Sequence, residues 1–339
     1  MIHRTRSPRR IATAGAMAAV VVTAIATGCA APRDSSGGSA VSIESGALPV
    51  TVEHRYGTTT ISRAPARVAA LGAGDADTLL ALGIVPTTMV PFTDPAAARI
   101  VEPWNEKLLG SSRPVILGQA SSDLGSVLPA ALATDPDLVI AMNNAVSRGQ
   151  YDTLSKVAPT VVRPAQAQDW QIPWATQASE IGKAVGKPAE AAQLVRATEQ
   201  VFTDAVAAHP QLRGRTGAVV TASADGGVSI YSPGDGRGQM LSALGLTFPT
   251  TLQGTLTNGF YGSISAENLG LLGSLDKLVV VDWQGSSDRL RANPAFAALD
   301  VVTRGDVVFL DTQAGSAMSV PTVLTIPWVA AKLVPGLAS

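Results

Sequence analysis

Two prolines bound the longest uninterrupted element this chain can hold. Pro188 and Pro210 bracket the stretch PAEAAQLVRATEQVFTDAVAAH, which has no glycine and no further proline. Pro188 suits the first turn of a helix, where its missing N–H is not needed, and Glu190 favours that positive end. Val195, Phe202 and Val206, with Leu194 and Val201 beside them, form an apolar stripe at helical spacing. Pro210 then stops the run. Residues 188–209 at ~1.5 Å each make a rod of roughly 33 Å, about the width of a small domain. The chain repeats one pattern on both sides of this rod. That predicts a strut joining two lobes, with the working surface in the cleft between them.

The repeated pattern is strand, turn, helix. A β-hairpin at 50–61, turning at Tyr56-Gly57, comes first. Residues 67–71 are a short apolar strand broken by Gly72-Ala-Gly74, after which Asp75 or Asp77 caps a helix through Leu82. Strands at 87–90, 138–142 and 160–163 alternate with helices at 127–133 and 150–157. Beyond the rod, 217–222 opens a second series. Two echoes tie the halves together. LLALGIVP at 79–86 returns as LSALGLTFP at 241–249, and the helix-then-strand of 127–142 returns at 266–282, with 277–281 as the buried strand. The closing strand 306–310 mirrors 160–163. The fold class is therefore α/β: two Rossmann-like lobes with parallel sheets, residues 49–187 and 210–339, joined by one long interlobe helix over 188–209. Ligands of such sheets sit beyond the carboxyl ends of the strands, which places the ligand cleft between the lobes.

The first residues read as an address. Arg4, Arg6, Arg9 and Arg10 precede an apolar run over 11–27 that is short for a membrane span. The run ends Ala26-Thr27-Gly28-Cys29, small residues before a cysteine, and resembles a bacterial lipobox. Residues 1–28 are then a lipoprotein signal peptide, and Cys29 carries the lipid that ties the protein to the outer face of the cell membrane. Arg9-Arg10 leaves open whether export runs by the Sec or the twin-arginine route. Residues 29–48 are small and polar and read as a flexible tether. Cys29 is the only cysteine, so no disulfide within the chain is available and no thiol remains for catalysis or an iron–sulfur cluster. The chain has 25 basic and 26 acidic residues; removing the four leader arginines leaves 21 against 26, or −5. That balance argues against nucleic acid as a partner.

Several segments, in order, resemble one family. TVEHRYGTTTI at 51–61, APARVAALG at 64–72, DPDLVI at 135–140, YDTLSKVAPTV at 151–161, ISAENL at 264–269 and RGDVVFL at 304–310 are similar to segments of the iron–siderophore solute-binding proteins of ABC importers. The resemblance runs from the hairpin to the last helix. It implies two lobes on a rigid helix with small hinge motion. It implies capture of a ferric siderophore, with no cofactor of the protein's own, and delivery to a membrane permease and its ATPase. It also implies an acidic permease-docking residue on each lobe. Glu267 fits that place in the second lobe. In the first lobe the matching position is Pro129, and Asp123 is nearby but offset.

The residues themselves offer little for bond-breaking chemistry. Beyond the leader the histidines are His54, in the hairpin, and His209, at the end of the rod. There is no Gly-x-Ser-x-Gly elbow and no paired histidine or cysteine motif for a metal. Gly72-Ala-Gly-Asp-Ala-Asp77 nearly matches a dinucleotide fingerprint but has Asp77 where the third glycine belongs, and a carboxylate there repels a pyrophosphate. Asp94 stands near the spacing of a ribose ligand, but in a loop.

Binding is better provided for. The loop Tyr231-Ser-Pro-Gly-Asp-Gly-Arg-Gly238 can bring backbone close to a ligand. Its one cation, Arg237, either forks onto the oxygens of an anionic chelate or pairs with Asp235 in a solvated turn. Trp170, Tyr261 and Trp283 fall at carboxyl ends or in interlobe loops, where flat rings cover apolar flanks or simply pack in a core. Asn143, with Asn144, follows the 138–142 strand and offers amides to carbonyls. Trp104, Trp174 and Trp328 are assigned to packing or surface. The expected ligand-binding set is Arg237, Tyr231, Trp170, Tyr261, Trp283 and Asn143. Haem or cobalamin remain alternative ligands of the same fold. A cell-envelope enzyme and a non-transport binding lipoprotein are the alternatives outside it.

Overall fold

The structure is a computed structural model that describes residues 41–91, 102–118, 124–283 and 285–339. The signal peptide, Cys29, most of the tether, Asp94 and Asp123 lie outside the described residues.

A two-stranded hairpin, β1 (Val50–His54) and β2 (Gly57–Ile61), opens the fold with Val50 opposite Ile61. Val52, His54, Thr59 and Ile61 are its buried positions, the period of two expected of a half-covered ribbon. The first lobe holds a five-stranded sheet of β3 (Val68–Ala70), β4 (Thr88–Met89), β5 (Val115–Ile116), β6 (Leu138–Ala141) and β7 (Thr160–Val162), in the order β5-β4-β3-β6-β7 and all parallel. The second lobe holds β8 (Gly217–Ala222), β9 (Val228–Tyr231), β10 (Tyr261–Ile264), β11 (Lys277–Val281) and β12 (Val307–Leu310), in the order β10-β9-β8-β11-β12. Both sheets thus follow the same winding order, reversing between their first and fourth strands. Every residue of β6 and of β11 is buried, as the apolar runs require when both sheet faces are covered.

The lobes differ at one edge. In the second sheet β8, β11 and β12 are parallel, but β9 runs antiparallel to β8 and β10 antiparallel to β9. Ser223-Ala-Asp-Gly-Gly227 is the cause: Gly226 takes φ 88°, and the chain turns straight back instead of crossing over through a helix. The residues echoing β4 form only one parallel bridge, Thr216 with Thr247, because the hairpin occupies that edge. The echo itself is geometric. Ile84 N–H donates to Leu79 O and Leu246 N–H to Leu241 O, each across a left-handed glycine, Gly83 or Gly245. The same six-to-one helix stop is built twice.

The interlobe helix spans Pro188–Ala208. Its first half gives Ala191 and Leu194 to the first lobe's core. Its second half gives Phe202, Val201 and Ala205 to the second lobe's core. Residues 41–48, read as the end of the tether, lie instead against the fold. The Glu44 carboxylate accepts from Ala189 N–H at 2.9 Å and Glu190 N–H at 2.8 Å, capping the interlobe helix. The cap of helix Asp75–Ala81 also differs from the expected one. Gly74, left-handed at φ 77°, is the capping residue and no side chain caps the helix. Asp75 and Asp77 both turn inward and are fully buried.

Candidate ligand-binding cleft

The crevice beyond β3 and β6 is where a doubly wound sheet receives a ligand. In the first lobe it is already filled. The Asp75 carboxylate accepts from Gly72 N–H and Met142 N–H, each at 2.9 Å, and from Gln177 Nε2 at 2.6 Å. A Cβ on Gly72 would sit 2.3 Å from Asp75 Oδ2 and 2.7 Å from Asn143 N, so only glycine fits between the strands there. The backbone nest that holds phosphate in nucleotide-binding sheets holds the chain's own carboxylate here. Burial pushes the Asp75 carboxyl up to about 6, against the pull of those hydrogen bonds.

Asp77, two residues on, reaches the other lobe. It accepts from Asn105 Nδ2 at 3.1 Å and from Thr322 Oγ1 at 3.0 Å, and Thr322 lies just ahead of the last helix, Thr325–Ala338. Burial pushes its carboxyl up to about 7, with Asn105 and Thr322 opposing and the charge of Glu102 adding to the rise. Gln313 Nε2 donates to Glu102 Oε2 at 3.3 Å, and the Trp104 and Trp328 rings meet at 5.2 Å. One flank of the cleft is therefore closed by direct contact between lobes.

The other flank holds a groove. The loop after β7 is pinned by Asp169, which pairs with Arg163 Nε at 2.6 Å and with Arg55 Nη1 at 3.1 Å. From this loop Gln171 reaches the second lobe's glycine loop, where a Cβ on Gly234 would lie 2.7 Å from its Oε1. Between the two loops lies a cavity of about 620 Å³ lined by Gln166, Gln168, Gln171 and Thr176 on one side and by Gly234 and Gln239 on the other. That volume is in the range of small-molecule sites.

Three of the six expected residues come together. Tyr231 and Tyr261 are cross-strand partners in β9 and β10. The Arg237 guanidinium lies over the Tyr231 ring at 3.8 Å, and its Nη1 is 2.9 and 3.0 Å from the two Asp235 oxygens. Of the two possibilities for Arg237 the structure shows the pairing with Asp235, in a pair that is mostly buried rather than solvated, at 17% and 5% exposure. Burial raises the Asp235 carboxyl while Arg237 opposes that rise. The other three stand apart. Trp170 is half-buried at φ 64° between the groove's glutamines. The Asn143 carbonyl accepts from Ala73 N–H at 2.9 Å, and its Oδ1 is buried without a partner. Trp283 is 40% exposed beyond β11. The groove's walls are the chain neighbours of Trp170 and Arg237, not those side chains themselves. Sequence reasoning passed over Gln166, Gln168, Gln171 and Gln239. The signal was present as a glutamine-rich loop after a last strand. Glu267 stands exposed at the start of the turn Ala266–Leu272, its carboxyl held down by its own N–H and the Ser265 hydroxyl.

Arg237→Lys should lower unfolding free energy by about 1–2 kcal/mol, since an ammonium keeps the charge opposite Asp235 but loses the planar stack on Tyr231. A urea midpoint unchanged from the parent protein would show that the stack contributes nothing.

Among the described residues no group of three His, Cys, Asp or Glu is placed to hold a metal ion, and no helix is long and apolar enough to cross a membrane. A periplasmic solute binding protein from Mycobacterium smegmatis is 30% identical, with a TM-score of 0.74, over 85% of this chain and 97% of that one. PiaA from Streptococcus pneumoniae, solved in complex with ferrichrome, is 25% identical with a TM-score of 0.72 over 85% of this chain and 97% of that one. The ferric enterobactin-binding periplasmic protein FepB of Escherichia coli is 29% identical over 197 residues, 54% of this chain and 59% of FepB. The chain thus spans about three fifths of the length of that curated relative. Residues 68–314, which take in both sheets and the helix between them, match the family described as periplasmic binding protein, and the chain belongs to that family.

Proposed function

We propose that this chain is the substrate-binding component of an ABC importer, and that it captures a ferric siderophore whole and passes it to the membrane permease and its ATPase. The observation that carries this reading is the groove of about 620 Å³ between two α/β lobes that share one helix. Its amide lining suits holding a polar chelate rather than breaking a bond. The relatives named for ferrichrome and ferric enterobactin support the ligand class. Docking on the permease uses Glu267 on the second lobe, and the lipid anchor at Cys29 keeps the protein at the extracytoplasmic face of the membrane. The mechanism is capture, slight closure and handover, with no bond broken.

Tryptophan fluorescence of the full chain in mild detergent tests this. Ferric siderophores should quench it saturably at one per chain. The iron-free siderophores, haem and cobalamin should bind at least tenfold more weakly. Tight binding of haem or cobalamin with none for any ferric siderophore would replace the ligand class, and hydrolysis of the added compound would end the transport reading.

A further inference from the structure

We infer that the chelate carried in the groove is electroneutral, a ferric ion held by three monoanionic bidentate groups such as hydroxamates, rather than a polyanion. This rests on the siderophore-carrying reading above.

Among the described residues the groove lining contains no ionisable side chain, only amides, a hydroxyl, prolines and small residues. The cations on the loops that form it, with Arg55 beside them, are each paired with an aspartate among the described residues. Arg163 and Arg55 share Asp169, and Arg163 also donates to the carbonyls of Pro164 and Ala167. Arg237 is held against Asp235 with its guanidinium over the Tyr231 ring, so it braces the glycine loop and is not a free hook for an anion. Ferric iron with three hydroxamates sums to zero charge, whereas with three catecholates it carries −3. Among the described residues a triscatecholate placed here would meet the one positive charge left over by Arg55, Arg163 and Asp169. Leaving the rest of its charge without a partner in the groove is unfavourable. The chain beyond residue 28 has 21 basic and 26 acidic residues, or −5, which further opposes the approach of a polyanion. Glutamine amides suit the neutral case, since each offers two donors and an acceptor to carbonyl and N–O oxygens.

The full chain in mild detergent is titrated with ferrichrome, with ferric enterobactin, and with ferrioxamine B in its N-acetyl (neutral) and N-succinyl (anionic) forms. The neutral ferrichrome should bind at least 30-fold more tightly than the trianion, and the acetyl form at least fivefold more tightly than the succinyl form. Equal or tighter binding of ferric enterobactin overturns this inference and leaves the siderophore reading standing. Binding of none of the four overturns the siderophore reading and this inference with it. Gln168→Lys, at an exposed position that does not endanger folding, should narrow the neutral-to-anionic preference about tenfold. An unchanged preference overturns the assignment to this groove. Asp235→Asn, which releases Arg237, should narrow the preference in the same direction.

Discussion

Asp75→Ala should lower the free energy of unfolding by roughly 3–6 kcal/mol. The carboxylate is the acceptor for three buried donors, Gly72 N–H, Met142 N–H and Gln177 Nε2. Each buried donor left without an acceptor costs about 1–3 kcal/mol. The crevice has little room to admit replacement water, because Asn143 N lies only 2.7 Å from where a Cβ on Gly72 would stand. Asp75→Asn should cost less, since one amide oxygen can still serve both backbone donors, but it turns its NH2 toward the Gln177 NH2. Urea unfolding of the two variants beside the parent protein measures this. An Asp75→Ala loss below about 1 kcal/mol would show that the carboxylate does not hold the two strands together.

The second large effect is a fall in stability as pH rises from 5 to 8. The Asp75 carboxyl stands at about 6 and the Asp77 carboxyl at about 7 in the folded chain, both above the usual value of 3.8. A group whose folded value is raised binds its proton more tightly when folded. Its contribution is therefore complete below about pH 4 and is lost as pH passes through 6 to 7. Asp282 works the other way. Hydrogen bonds from Ser287, Thr312 and Gly285 outweigh its desolvation and pull its carboxyl down to about 2, so its contribution is present above pH 4 and lost toward pH 2. These three groups together favour the range near pH 4 to 5. From there to pH 8, Asp77 alone is worth on the order of 2–4 kcal/mol at 1.36 kcal/mol per unit. Geometry and burial pull against each other at this residue. Both of its oxygens accept hydrogen bonds, the arrangement of a carboxylate, while burial and Glu102 favour the protonated form. Burial prevails in direction. Asp77→Asn cannot titrate, so its urea midpoint should change much less between pH 5 and pH 8. Equal slopes in the two proteins would place the pH dependence elsewhere.

How much of this was legible in the chain depends on the range of the interaction. β8 and β11 lie where the apolar runs put them, because a mostly apolar strand in the middle of a covered sheet carries its own signal. The repeated helix stops were legible too, since Leu-Gly at the end of an apolar helix encodes them locally. The antiparallel edge of the second sheet was not, because a glycine turn reads the same whether the next segment reverses or crosses over. The two aspartates of the first helix were read as caps. Their partners Gln177 and Thr322 lie 102 and 245 residues away, and no local pattern announces such a bond. Tyr231 and Arg237 are neighbours because a glycine loop follows β9 directly, and Tyr261 joins them only through the pairing of β10 with β9. The groove's glutamines were missed because neutral amides in a loop look like ordinary solvated surface.

The helix between the lobes belongs to both of them: Ala191 is packed in one interior and Phe202 in the other. Melting either interior must fray a rod that the other depends on. Heating should therefore give a single sharp calorimetric endotherm for the folded body instead of two separable ones, and a ligand that tightens one half should raise the melting of both.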